Sequence, residues 1–101
     1  MAAYLIVDIR TVLDEETYAT YRSRVSAGLS EAGGEYLVRG GAVQVLEGDW
    51  SPNRIVVVRF PSIEAAKQWW DSADYAELKQ MRKAATLTNM IVVPGFENEV
   101  E

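Results

Sequence analysis

The fold class this sequence predicts is α+β: a ferredoxin-like βαββαβ protomer whose antiparallel sheet carries its helices on one face. Three observations predict it. Stretches with the period-two pattern of strands alternate with stretches of helical period in the order strand, helix, strand, strand, helix, strand. Glycine pairs and prolines punctuate the boundaries, at Gly33-Gly34, Gly40-Gly41, Pro61 and Pro94-Gly95. The length of 101 residues suits a single core, with one domain over 1–96 and an acidic, frayed tail over 97–101.

Ala3, Leu5, Val7 and Ile9 alternate with Tyr4, Ile6, Asp8 and Arg10, which describes a first strand with two differently used faces. Asp14 caps a helix over 15–29. Glu15 and Glu16 favour its dipole, and Tyr18, Tyr21, Val25 and Leu29 recur at helical spacing. Gly33 and Gly34 end it. Glu35 to Arg39 reads as a second strand, Gly40-Gly41 as a turn or bulge, and Ala42 to Leu46 as its short continuation or hairpin partner.

A polar loop carrying Trp50 leads to Arg54–Phe60, RIVVVRF, whose β-branched residues suit a central strand. Arg54, Val56, Val58 and Phe60 share one face of it, and Ile55, Val57 and Arg59 the other. Ser62 and Ser72 are helix caps that split the next helical stretch into 63–70 and 73–85. Thr86 to Val93 is the last strand. One face of such a sheet has no helices and is too apolar to be left in water, so a homodimer packed sheet on sheet is expected.

Neither cysteine nor histidine occurs in the chain. Their absence removes disulfides, thiolate nucleophiles, imidazole bases and the commonest zinc and haem ligands, so no cofactor and no metal are expected. The net charge of -5 disfavours nucleic acid and anionic membrane as partners. The opening MAAYLIVDIR has no cationic n-region and no long apolar run, and a cytoplasmic location is expected.

The residues able to carry chemistry are arginines, carboxylates and aromatics. Tyr75, Leu78, Arg82 and Ala85 fall at spacings of three and four on the second short helix, so Arg82 lies on the apolar stripe. Its guanidinium either snorkels to solvent or bonds a carboxylate of its own chain, or it points into a cleft and holds an oxyanion through its planar fork. Trp69 and Trp70 are adjacent and cannot share a helix face, so one belongs to the core and the other to a wall or interface. Arg39 and Arg54 are further ligand-binding candidates. Asp8 on the first strand and Glu47 in the loop are the candidate catalytic carboxylates, with ordinary ion pairing or solvation as the competing explanation.

The stretches GGEYLVRGGAVQVLEGDW and RIVVVRFPSIEAAKQWWDSADYAELKQMR together carry Arg39-Gly40-Gly41, Glu47-Gly48, Arg54, Phe60-Pro61-Ser62, Ala66, Ser72, Tyr75 and Arg82 in order. In these the chain resembles the domain of unknown function 1330 family over nearly its whole length. The resemblance implies a protomer of the dimeric α/β barrel superfamily, alongside cofactor-free monooxygenases, muconolactone isomerase-like proteins and stress-responsive barrel proteins. It supplies no reaction. Arg59 departs from the acidic residue typical of that family before the Phe-Pro-Ser run.

Two classes of function are therefore expected to compete. The first is a homodimer that binds a small, anionic, partly aromatic or unsaturated metabolite through Arg39, Arg54, Trp70, Tyr75 and Arg82. As an enzyme it would be a cofactor-free isomerase or monooxygenase, with Asp8 or Glu47 moving a proton. The second is a non-catalytic dimerisation or stress-associated module whose arginines are structural. A divalent-metal enzyme using Asp8, Glu47 and Asp49 is a third, weaker expectation.

Overall fold

The computed structural model describes residues 1–96, and the tail expected at 97–101 lies outside them. The elements are β1 (Ala3–Val12), α1 (Glu15–Glu31), β2 (Glu35–Arg39), β3 (Arg54–Phe60), α2 (Ile63–Asp71), α3 (Ala73–Ala85) and β4 (Thr86–Pro94). The four strands form one antiparallel sheet in the order β2-β3-β1-β4, which is the ferredoxin-like topology. The helices cover one face. The principal extents of 47 × 38 × 17 Å describe a slab two layers thick, so the second face of the sheet has no helix above it.

Local chemistry places the helices. Asp14 accepts hydrogen bonds from the Thr17 amide at 3.1 Å and the Thr17 hydroxyl at 2.8 Å, which starts α1 and holds the Asp14 carboxyl below its ordinary pKa. Ser62 and Ser72 cap α2 and α3 by accepting from the amides of Ala65 and Tyr75. The Ser72 cap is extended, at φ -71° and ψ 152°, and this one residue breaks the aromatic stretch into two helices.

Strand alternation sorts the sheet as its parity requires. Ala3, Leu5, Val7 and Ile9 of β1 and Val58 and Phe60 of β3 are buried under the helices. They meet Tyr18, Tyr21, Val25 and Leu29 of α1, Ala66 and Trp69 of α2, and Tyr75 and Leu78 of α3 in one core. The register sets Ile9 between Arg54 of β3 and Thr88 of β4, and Val56 beside Arg39 of β2. Arg39 and Arg54 thus stand at the end of the sheet where β1 leaves it.

One expected element differs. Ala42 to Leu46 forms no strand and is exposed throughout. The Gly40 amide still donates to the Ile55 carbonyl at 2.8 Å, but Gly40 and Gly41 then take φ of 82° and 107°. Two successive residues in that left-handed region turn the chain out of the ladder, so β2 ends at Arg39.

Candidate anion-binding site

Arg82 comes from the last turn of α3, on the stripe that faces the core, and only 4% of it is exposed. Its Nε donates to the Tyr75 hydroxyl at 3.3 Å, and that hydroxyl lies 2.9 Å from the hydroxyl of Tyr21 on α1. No carboxylate pairs with Arg82 among the described residues. A buried guanidinium is ordinarily matched by an anion, so its missing partner is the central observation about this site.

Tyr75 lies two turns before Arg82 on α3 and Tyr21 lies on α1, and their hydroxyls form a chain. Burial first, then the neighbouring Tyr75 and its hydrogen bond, push the Tyr21 hydroxyl far above its ordinary pKa of 10.0. Tyr21 is therefore a neutral hydroxyl and not a phenolate. Since Arg82 occupies one lone pair of Tyr75, the tyrosine pair shares one hydroxyl proton between its members and keeps the other for a third group. Trp69 holds Tyr75 in place with its ring centroid 4.0 Å away.

Arg82 also lines a small cavity of about 40 Å³ between sheet and helices, together with Arg22, Arg39, Arg54, Tyr18, Tyr21 and Tyr36. The remaining lining is apolar, and no acidic residue contributes to it. Two of the arginines lie over aromatic rings: Arg39 is 4.5 Å from the centre of Tyr36, and Arg22 is 5.3 Å from that of Tyr18. Arg54 Nε is buried without a hydrogen-bond partner. A roomier groove of about 250 Å³ on the helix side is bordered by Glu31 and Asp74 and has no arginine, so its charge does not suit an anion.

Gly40 lies against the Arg54 guanidinium, where a Cβ would collide with Nη1 and Cζ. Gly40→Ala is expected to displace that guanidinium from the cleft and to cost about 1 to 2 kcal/mol for a non-glycine residue at positive φ. Urea denaturation reads the loss, and unchanged stability would mean that the loop re-forms elsewhere.

Of the sequence-derived candidates, Arg39, Arg54 and Arg82 share this cavity, and Tyr75 and Trp70 flank Arg82, whose Cζ is 5.9 Å from the Trp70 ring centre. The tryptophans divide as expected: Trp69 is buried and Trp70 half-buried. Asp8 does not join them. It projects from the other face of β1, where its Oδ2 accepts from the Trp50 indole at 3.0 Å and its buried Oδ1 has no partner. Glu47 is exposed in the loop, away from the cavity lining. Among the described residues no group of three or more acidic side chains is placed to hold a metal ion, and Asp8, Glu47 and Asp49 form no such set.

Sequence reasoning singled out neither Tyr21 nor the lysines near Trp70 as site residues. Lys79 and Lys83 put their ammonium groups 4.2 Å and 5.8 Å from the Trp70 ring centre. The spacing of Lys79, Arg82 and Lys83 on α3 is a usable signal, because positions three and four apart lie on adjoining parts of one helix surface.

The profile of the domain of unknown function (DUF1330) matches residues 2–96. The chain belongs to the DUF1330 family. No curated protein matches it in sequence. Among solved structures, a protein of unknown function from Rhodopseudomonas palustris superposes with a TM-score of 0.78 at 18% identity, over 96% of this chain and 84% of that one. SnoaB, a cofactor-independent oxygenase from Streptomyces nogalater, superposes with a TM-score of 0.63 at 9% identity, over 99% and 98%. A protein from Mycobacterium tuberculosis gives 0.57 at 12%, over 98% and 99%. At these identities the likenesses establish that this DUF1330 chain shares their fold. No helix among its described residues is long and apolar enough to cross a membrane.

Proposed function

We propose that this DUF1330 protein binds a small anionic metabolite, partly aromatic or unsaturated, with its oxyanion on Arg82, while Arg39 and Arg54 add positive charge from the interior cavity they share with it. The observation that carries the reading is a guanidinium that is 4% exposed, fixed by a tyrosine, and unmatched by any described carboxylate. The tyrosine pair adds a neutral hydroxyl donor, and Trp70 adds an aromatic wall.

The same chemistry bears on catalysis. The cleft supplies positive charge and phenol rings but no carboxylate, which suits a ligand that arrives already ionised better than one that needs a protein base. SnoaB, which shares the fold, is a cofactor-independent oxygenase. Isomerisation or cofactor-free oxygenation of a stabilised enolate or phenolate is the reaction class compatible with such a site, because both develop charge that the arginines would stabilise.

A thermal-shift screen of carboxylates and phenolates against the unaltered chain and the Arg82→Ala variant tests the binding reading. A ligand that raises the Tm of the first and leaves the second unmoved supports it. An equal shift in both removes Arg82 from the site and returns the chain to the class of modules with structural arginines.

The protein is further proposed to act as a homodimer through the helix-free sheet face. Ile91 on that face is 56% exposed, and Leu37 of the edge strand β2 is 50% exposed, which is costly in water for a monomer. Ile91→Asp places a charge there and is expected to convert dimer to monomer in sedimentation velocity; a monomer before the substitution, or a dimer after it, counts against this interface.

A further inference from the structure

Two cavities meet on Trp70 along the β4 edge of the slab, and their linings differ in kind. One, of about 360 Å³, lies against Trp70, Arg82, Lys83, Thr86, Thr88 and Met90. The other, of about 210 Å³, also touches Trp70 and Met90 but continues over Leu5, Ala66, Ile91 and Val92, with Lys67 as its one charged residue. Every charged residue along the pair is therefore a cation.

The first cavity is the charged end. Arg82 reaches it as well as the interior cavity, and Lys83 stands beside it. The hydroxyls there are already committed. Thr86 Oγ1 donates to the Arg82 carbonyl at 2.9 Å, so its 2.7 Å contact with Thr88 Oγ1 has Thr88 as the donor. Neither threonine keeps a proton for a ligand, and an anion in this cavity is held by the two cations. The second cavity offers aliphatic surface and the indole of Trp70, which suits an uncharged body.

We infer that this edge groove takes an amphipathic oxyanion, with a carboxylate or phenolate head at Arg82 and Lys83 and an apolar body laid over Trp70 toward Ala66 and Val92. The inference rests on the reading of Arg82 as an anion-binding residue and adds where the rest of the ligand lies. The interior cavity of about 40 Å³ cannot hold such a body, since a dry site for benzene is about 150 Å³. The groove can, and its charge pattern fits one end of the molecule and not the other.

The test is a titration of isotope-labelled protein with acetate, octanoate and octyltrimethylammonium, followed by amide and indole NMR shifts. Octanoate is expected to move the signals of Ala66, Trp70, Lys83 and Val92. It should bind at least about tenfold more tightly than acetate, because each buried methylene adds about fourfold, and at least about tenfold more tightly than the cation of equal chain length. Val92→Trp, on an edge strand with a half-buried side chain, fills the apolar arm and should bring octanoate down to the affinity of acetate while leaving acetate unchanged. Val92→Leu does the same to a smaller degree and serves if the bulkier variant fails to fold. Octanoate no tighter than acetate, with acetate still lost in Arg82→Ala, overturns the amphipathic groove and leaves the Arg82 reading standing. Indifference of both anions to Arg82→Ala overturns both. Equal binding of octanoate and the ammonium, or octanoate shifts centred on Gly28 and Gln68 of the helix-side groove, also overturns the groove.

Discussion

Arg82→Ala is expected to weaken binding of a carboxylate ligand by about 10- to 100-fold, the worth of a charge-assisted hydrogen-bonded contact in a partly dry site. Its effect on folding should be small, about 1 to 2 kcal/mol, from the lost bond to Tyr75 and the lost packing of the stem. The asymmetry follows from the absence of a described carboxylate partner. Truncating one side of a buried ion pair leaves the other charge stranded, at a cost of about 3 to 5 kcal/mol; here no acid is left behind. Calorimetric titration and urea denaturation on the same variant separate the two effects. A stability loss above about 3 kcal/mol with unchanged ligand affinity would make Arg82 a structural residue. Arg82→Lys keeps the charge but not the planar fork, so it should recover part of the affinity for a monoanion and little of any bidentate preference.

Most of the fold was legible because its causes are local. Alternation in Ala3 to Ile9 and in Arg54 to Phe60 fixes which residues go under the helices, and the side-chain oxygens of Asp14, Ser62 and Ser72 reach amides three residues on. The same alternation already separates Asp8 from Ile9. Once the helices take the face of Ile9, Asp8 cannot serve a cleft built around Arg82, and its candidacy as the site's proton carrier was weak for a reason visible in the strand itself.

The site was legible only in part. Tyr75 and Arg82 lie two turns apart on one helix, so spacing pairs them, and Arg39 and Arg54 flank the turn where β2 ends and β3 begins. The bond from Tyr75 to Tyr21 spans 54 residues and depends on how α1 packs against α3, which no periodicity reports. The loop from Gly40 to Asn53 was the least legible element. Its alternating Ala42 to Leu46 has the pattern of a strand, but the two glycines with positive φ direct it away from the ladder that the pattern would need.

Trp69→Ala should produce the largest loss of stability of any single truncation near the site, about 3 to 5 kcal/mol. Trp69 is 5% exposed, and its ring meets Phe60 at 5.9 Å, Trp70 at 6.4 Å and Tyr75 at 4.0 Å between centroids. It is the packing that joins β3, α2 and α3, so its removal opens a cavity that three elements would have to collapse to fill. A domain of this size commonly has a total stability of about 5 to 15 kcal/mol, so the variant is expected to unfold at a far lower urea midpoint with an unchanged m-value. Trp70→Ala, one residue on, removes a half-buried ring and should cost about half as much or less while taking away the wall beside Arg82. The pair of variants therefore separates packing from binding. Loss of ligand affinity in Trp70→Ala with near-normal unfolding, beside severe destabilisation in Trp69→Ala, is the expected outcome. Equal destabilisation by both would mean that Trp70 is core and that the groove beside it is closed by other residues.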